Sequence, residues 1–134
     1  MGPSDTASSG TDSAWCGRVT VSPSYITSDN AKSADLFISE TAPTTERYAL
    51  ATGLPLDVAK NVVANSHTPA KALGKMCQLA DPRLAVTCHA PVDPEELQAY
   101  YNGVASHWDG NYIVGEDLMV FNVSKDQILI RKGA

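Results

Sequence analysis

RLAVTCHAPVDPEELQAYYNGVASHWDGNYIVGEDLMVFNV, residues 83–123, is the stretch whose alternation of patterns sets the fold class. Its opening, Arg83-Leu84-Ala85-Val86-Thr87-Cys88, is a short apolar and β-branched run and reads as a strand. Asp93-Pro94-Glu95-Glu96 then carries three helix-start signals together. Asp93 is a capping side chain, Pro94 suits the first helical position, and Glu96 stands three residues after the cap, as a capping box requires. Leu97, Tyr101, Val104 and Trp108 recur at helical spacing and predict one apolar stripe, with Gly110 as its C-terminal stop. Tyr112-Ile113-Val114 and Leu118 to Val123 are β-rich and flank Gly115-Glu116-Asp117, a loop of hairpin length. Strand, helix and hairpin in this order make the C-terminal half of an α+β domain.

Upstream of this unit the helical period dominates from Leu54. Pro55 and Asp57 suit a first turn, and Leu56, Ala59, Val62 and Val63 follow at spacings of three and four, predicting a helix to Asn65. Thr68 as cap and Pro69 at the first position open a second helix through Ala72, Leu73, Met76, Cys77 and Leu79, which Asp81-Pro82 ends. Further back, Ala34 to Ser39 reads as a buried strand, Arg47 to Ala51 as a short strand before Gly53, and Arg18 to Val21 as a half-buried one. Residues 1–14 hold no large apolar side chain after Met1 and are expected to be a disordered leader. At the other end Ser124 to Gln127 is a turn and Ile128 to Ile130 a last strand. The expectation is a single α+β domain over residues 15–134, with small mixed sheets packed on two or three helices.

The composition excludes several classes of function. A chain of 134 residues is one domain in size, and its longest strongly apolar run, Leu118 to Phe121, is far short of a transmembrane segment. Lys and Arg total 10, never three in a row, and the net charge is −5, which argues against affinity for nucleic acid. Serine, threonine and alanine are abundant and lysine sparse, as in exported bacterial proteins. Residues 1–14 lack the apolar core of a signal peptide, so a periplasmic or secreted location implies that the signal was removed. Trp15 stands where a lipid-attachment site at Cys16 needs a small residue, which puts any lipid anchor upstream of this sequence. Cys77 and Cys88 lie 11 residues apart, across a helix end and a strand start. Either a disulfide closes that loop in an oxidising compartment or both remain free thiols, and Cys16 is then free or pairs between chains.

No CxxC, HExxH, G-x-G-x-x-G or G-x-x-x-x-G-K pattern is present, and no metal or cofactor is expected. Adjacent strand residues face opposite ways, so Cys88 is not expected to use His89 as a base. Ser106-His107-Trp108-Asp109-Gly110 clusters an imidazole, a carboxylate and an indole at a helix end. As chemistry, His107 with Asp109 is a general-base pair, or an acid–base set with His67 or His89. As structure, His107 suits the helix dipole, Trp108 the apolar stripe and Asp109-Gly110 a turn. Tyr100 and Tyr101 are adjacent, so one shares the stripe while the other is exposed and available as an interface anchor, with Trp108 nearby.

Leu84-Ala85-Val86, Ala90-Pro91-Val92-Asp93, Glu95-Glu96, Tyr112-Ile113-Val114 and Leu118-Met119-Val120 stand in an order that resembles the secretin N-terminal, or STN-like, domain of the bacterial periplasm. That family also occurs in TonB-dependent signalling receptors and in lipoproteins of secretion systems, and the unit spans residues 47–123 here. The resemblance implies a non-catalytic docking or ring-assembly module of a cell-envelope machine, with protein partners or self-assembly, and no catalytic residues to transfer. Two alternatives stand beside it: a small secreted hydrolase or nuclease-like effector using its histidines, and an acidic inhibitor or immunity protein that neutralises a basic partner by charge. Convergence of two histidines in one pocket separates the enzyme reading from the other two.

Overall fold

The structure, a computed structural model, describes residues 6–10, 13–18, 24–41, 43–89 and 93–133. Five strands form one sheet in the order β1-β2-β3-β4-β5: β1 is Thr6–Gly10, β2 Ser13–Arg18, β3 Leu36–Glu40, β4 Leu84–Cys88 and β5 Tyr112–Val114. β1 is antiparallel to β2, and every later pair is parallel, with Leu36 beside Leu84 and Ala85 beside Tyr112. Parallel neighbours need crossover connections, and the helices supply them. α1 (Tyr25–Asn30) lies between β2 and β3. α2 (Thr45–Thr52), α3 (Leu56–Ser66) and α4 (Ala70–Ala80) lie between β3 and β4, and α5 (Pro94–Ala105) between β4 and β5. β6 (Val120–Val123) and β7 (Ile128–Arg131) form a separate antiparallel hairpin. The fold class is α+β, as the sequence predicts.

Strand alternation divides the core in two. Phe37 and Ala85 point to one face, where they meet Leu73, Met76, Cys77 and Ala80 of α4, Val104 of α5 and Trp108. Leu36, Leu84 and Val86 point to the other, where Ile113, Phe121, Val123 and Ile128 close over them. The helices therefore cover one face, and the β6–β7 hairpin covers the other. α4 and α5 approach closely because Gly74 and Gly103 face each other's helix. A Cβ at Gly74 would lie 2.5 Å from the Val104 carbonyl oxygen, and one at Gly103 2.7 Å from Cβ of Ala70.

Several sequence expectations change. Thr6–Gly10 and Ser13–Arg18 are strands, so residues 6–10 and 13–14 of the expected leader belong to the sheet, and its other residues lie outside the described ones. Of the expected strand Arg18 to Val21, the residues after Arg18 lie outside the described ones. Arg47 to Ala51 is helical, because Thr44 Oγ1 accepts from the Arg47 N–H and Gly53, at φ 71°, closes the helix in the left-handed conformation. Tyr112–Val114 does not pair with Val120–Val123 as a hairpin. β5 extends the parallel sheet, and β6 turns back through Ser124 and Gln127 onto β7.

α5 starts where expected, with the Asp93 carboxylate accepting from the N–H groups of Glu95 and Glu96. It ends at Ala105 with Ser106 as cap, before Gly110. Its buried face is Glu96, Tyr100, Gly103 and Val104, so Tyr100 rather than Tyr101 belongs to the stripe. At α4 the cap is Pro69 with no side-chain capping bond; Thr68 is instead buried, its carbonyl accepting from Thr41 Oγ1 at 2.9 Å. Cys77 and Cys88 are free thiols, and the disulfide open to them is not formed. Cys77 packs on the helix face of the sheet, whereas strand alternation from Val86 turns Cys88 to the opposite face.

Candidate functional site

β3 and β4 end side by side, with Glu40 opposite Cys88 in register. In an open parallel sheet the carboxyl ends of the strands are where binding crevices form, and there several ionisable groups of the described residues meet. Glu40 is 3% exposed. Its Oε1 accepts from His67 Nδ1 at 2.5 Å and lies 3.7 Å from His89 Nδ1. The two imidazole rings stand 6.4 Å apart, and Tyr48 of α2 lies 5.8 Å from the ring of His67. Three distant chain segments thus bring two histidines onto one buried carboxylate.

Local structure explains each placement. Glu40 is the last residue of β3. His67 ends α3, its N–H bonded to the Val63 carbonyl, and the bond from Thr41 to the carbonyl of Thr68 ties this corner to the end of β3. His89 follows the last residue of β4 at φ 60°, a left-handed conformation uncommon for a side-chain-bearing residue. Leaving the strand frees it from the strand's alternation, so its ring turns toward Glu40. Cys88 remains half-buried, its thiol pushed up from the usual value first by burial and then by the Glu40 charge. A thiol held protonated is a poor nucleophile, in keeping with the expectation that Cys88 does not pair with His89 as a catalytic dyad.

The rim is charged. Arg47 donates to Asp93 at 3.0 Å, and its Nε lies 3.6 Å from Glu96 Oε2. Glu96 is 8% exposed, and neither of its carboxylate oxygens has a hydrogen-bond partner; the capping-box bond expected of it is not made. Glu40 Oε2 and the Tyr100 hydroxyl are likewise buried without one. Burial pushes the Tyr100 phenol up, the nearby Thr41 hydroxyl opposes this in part, and the charges of Glu96 and Glu40 reinforce it. Beside Tyr100 a cavity of about 210 Å³ is lined by Pro43, Thr44, Thr45, Val63, Pro69, Ala70 and Ala99.

The residues singled out in sequence distribute differently. His107 and Asp109 follow α5 at its far end, about 18 Å along the helix axis from Pro94 and therefore at the opposite end of the sheet. Among the described residues no hydrogen bond or ion pair joins them. Trp108 is 7% exposed, and its indole N–H donates to Asp81, so it is a core residue rather than an anchor. Tyr100 is 3% exposed and equally unavailable as an anchor. Tyr101 is exposed, packs edge-on against Tyr112 at 5.1 Å and accepts from the Val114 N–H. Glu40, the hub of the cluster, escaped sequence reading, because a glutamate at a strand end carries no local signal and its partners come from residues 67 and 89.

No family model matches the chain, and no curated protein matches it. Solved structures do, among them the metallo-beta-lactamase fold protein YhfI from Bacillus subtilis, 14% identical with a TM-score of 0.57 over 78% of this chain. The chain spans 37% of the length of that structure, and the likeness is one of fold. Among the described residues no three His, Cys, Asp or Glu side chains are placed to hold an ion, and Glu40 Oε1 is already engaged by His67.

Proposed function

We propose that this chain supplies a histidine–carboxylate acid–base centre for hydrolysis, built on Glu40, His67 and His89. The observation that carries the reading is the convergence of two imidazoles, from α3 and from the end of β4, on one carboxylate that is 3% exposed. Glu40 accepts the Nδ1 proton of His67, which fixes the tautomer and leaves Nε2 as the basic atom. When that nitrogen takes a proton from water, the buried carboxylate stabilises the resulting imidazolium. His89, whose side chain is 77% exposed, is free to carry a proton to a leaving group. The pairing of His107 with Asp109 has no part in this chemistry.

The test is hydrolysis of chromogenic carboxylic and phosphoric esters by the wild type and by His67→Gln, Glu40→Gln and His89→Gln. General acid–base catalysis contributes roughly 10²–10⁴-fold, and His67→Gln is expected to lose that much. Turnover unchanged by His67→Gln and Glu40→Gln would refute the reading.

Docking to a protein partner, in a cell-envelope assembly of the kind the sequence resemblance implies, is the second reading. It is favoured by the outer face of the hairpin, where Val120 and Leu129 are exposed on the same side. In that reading the protein is periplasmic or secreted, and the contact runs through the hairpin and the exposed Tyr101 rather than Tyr100 or Trp108. Capture of an envelope partner that survives Val120→Ser together with Leu129→Ser removes this reading.

A further inference from the structure

Four buried polar atoms without partners lie around one corner of the domain: Oε2 of Glu40, both carboxylate oxygens of Glu96 and the hydroxyl of Tyr100. Native proteins rarely leave buried polar groups unpaired, and such groups mark places where a donor from outside belongs. Three of the four are carboxylate oxygens. Glu96 and Tyr100 are four residues apart on the buried face of α5, with Ala99 beside them, and Tyr100 feels the charges of both Glu96 and Glu40. Tyr100 and Ala99 also line the cavity of about 210 Å³ whose other walls include Pro43, Val63, Pro69 and Ala70. Glu40, Glu96 and Asp93 set three negative charges here against the single guanidinium of Arg47, whose hydrogen bond is spent on Asp93.

We propose that this corner binds the cationic nitrogen of a small aliphatic amine or guanidine, with Glu96 and Glu40 Oε2 accepting its N–H groups and the aliphatic part lying in the cavity beside Ala99. A protonated nitrogen brings several donors, which the three carboxylate oxygens lack, and a positive charge to join that of Arg47, whose Nε lies 3.6 Å from Glu96 Oε2. The cavity, in which Pro43, Val63, Pro69, Ala70 and Ala99 stand with Thr44 and Thr45, suits a chain of a few methylenes. An anionic ligand is repelled by the same carboxylates. As a substrate class this deepens the hydrolytic reading, on which it rests for the bond that is cut but not for the binding.

The experiment titrates the whole chain with n-butylammonium by NMR and calorimetry, against 1-butanol and butyrate. Saturable binding of butylammonium is expected, at least tenfold tighter than butanol and with none for butyrate. Glu96→Gln should weaken it at least tenfold. Ala99→Leu, which fills the cavity without touching a charge, should do the same and covers the case that Glu96→Gln does not fold. Butanol binding as well as butylammonium, both variants binding like the wild type, or a divalent metal ion binding where butylammonium does not, each overturns the proposal. His89→Gln, at an exposed side chain 3.7 Å from Glu40 and outside hydrogen-bond range, separates the two readings: it slows turnover in the hydrolytic one and leaves butylammonium affinity within about threefold in this one. Amine binding without hydrolysis defeats only the former, and His67-dependent hydrolysis without amine binding defeats only the latter.

Discussion

Thr41 is fully buried and spends its hydroxyl on the carbonyl of Thr68, the residue after His67. This bond spans 27 residues of sequence and fixes the distance between the end of β3, where Glu40 sits, and the end of α3, where His67 sits. Thr41→Val keeps the shape and removes the donor to the Thr68 carbonyl, which is expected to cost about 0.5–1.5 kcal/mol in urea denaturation. Thr41→Ser, which keeps the donor, should stay close to wild type in hydrolysis, while Thr41→Val loses rate beyond its loss of stability because His67 is no longer held against Glu40. Equal rates in the two variants would mean that the bond does not position His67.

Close helix packing carries a prediction at the scale of elements. Gly74 of α4 and Gly103 of α5 leave no room for a methyl group, and one added at Gly74 meets a backbone carbonyl that cannot swing aside. Gly74→Ala should therefore destabilise by about 1–3 kcal/mol, read as a lower melting temperature. Leu50→Ser, on a helix with no buried residue, should change stability by less than about 0.5 kcal/mol. The same contrast separates what was legible in the sequence from what was not. α5 was legible because Asp93 and Pro94 signal its start locally, and α3, α4 and β4 because their apolar spacing is regular. α2 reads as a strand in the sequence because its capping residues, Thr44 and Gly53, lie outside the pentad Arg47 to Ala51. The partner of β5 is a tertiary choice: the Gly115-Glu116-Asp117 loop permits a hairpin, but burial of Ile113 against Val86 on the sheet outweighs it. The Glu40 site was hidden for the same reason, since its three residues meet only after β3, α3 and β4 are in place.

For the molecule as a whole, the sheet separates a helix-covered core from a hairpin-covered one, and the helix-covered core holds groups that resist ionisation. Burial pushes the Cys77 thiol up to about 12 from 9.0, and pushes the Tyr112 phenol up to about 12 from 10.0, with the Thr87 hydroxyl opposing the latter in part. Both groups are neutral in the folded protein across the range where the unfolded chain releases their protons. The unfolded state then binds fewer protons than the native one, so stability falls as the pH rises. The contribution is intact below pH 9 and is lost between about 9 and 12, the window set by the two pairs of values. The unfolding free energy should therefore be nearly level from pH 7 to 8.5 and then decline, with Cys77 contributing up to about 1.4 kcal/mol per pH unit. Cys77→Ala lowers stability at neutral pH by opening a small void against Phe37 and Ala85, yet it must reduce the slope above pH 9. Urea denaturation at pH 7.5, 9.5 and 10.5 measures both effects. Parallel curves for the variant and the wild type would mean that Cys77 ionises as readily in the native core as in water, contrary to its burial between α4 and the sheet.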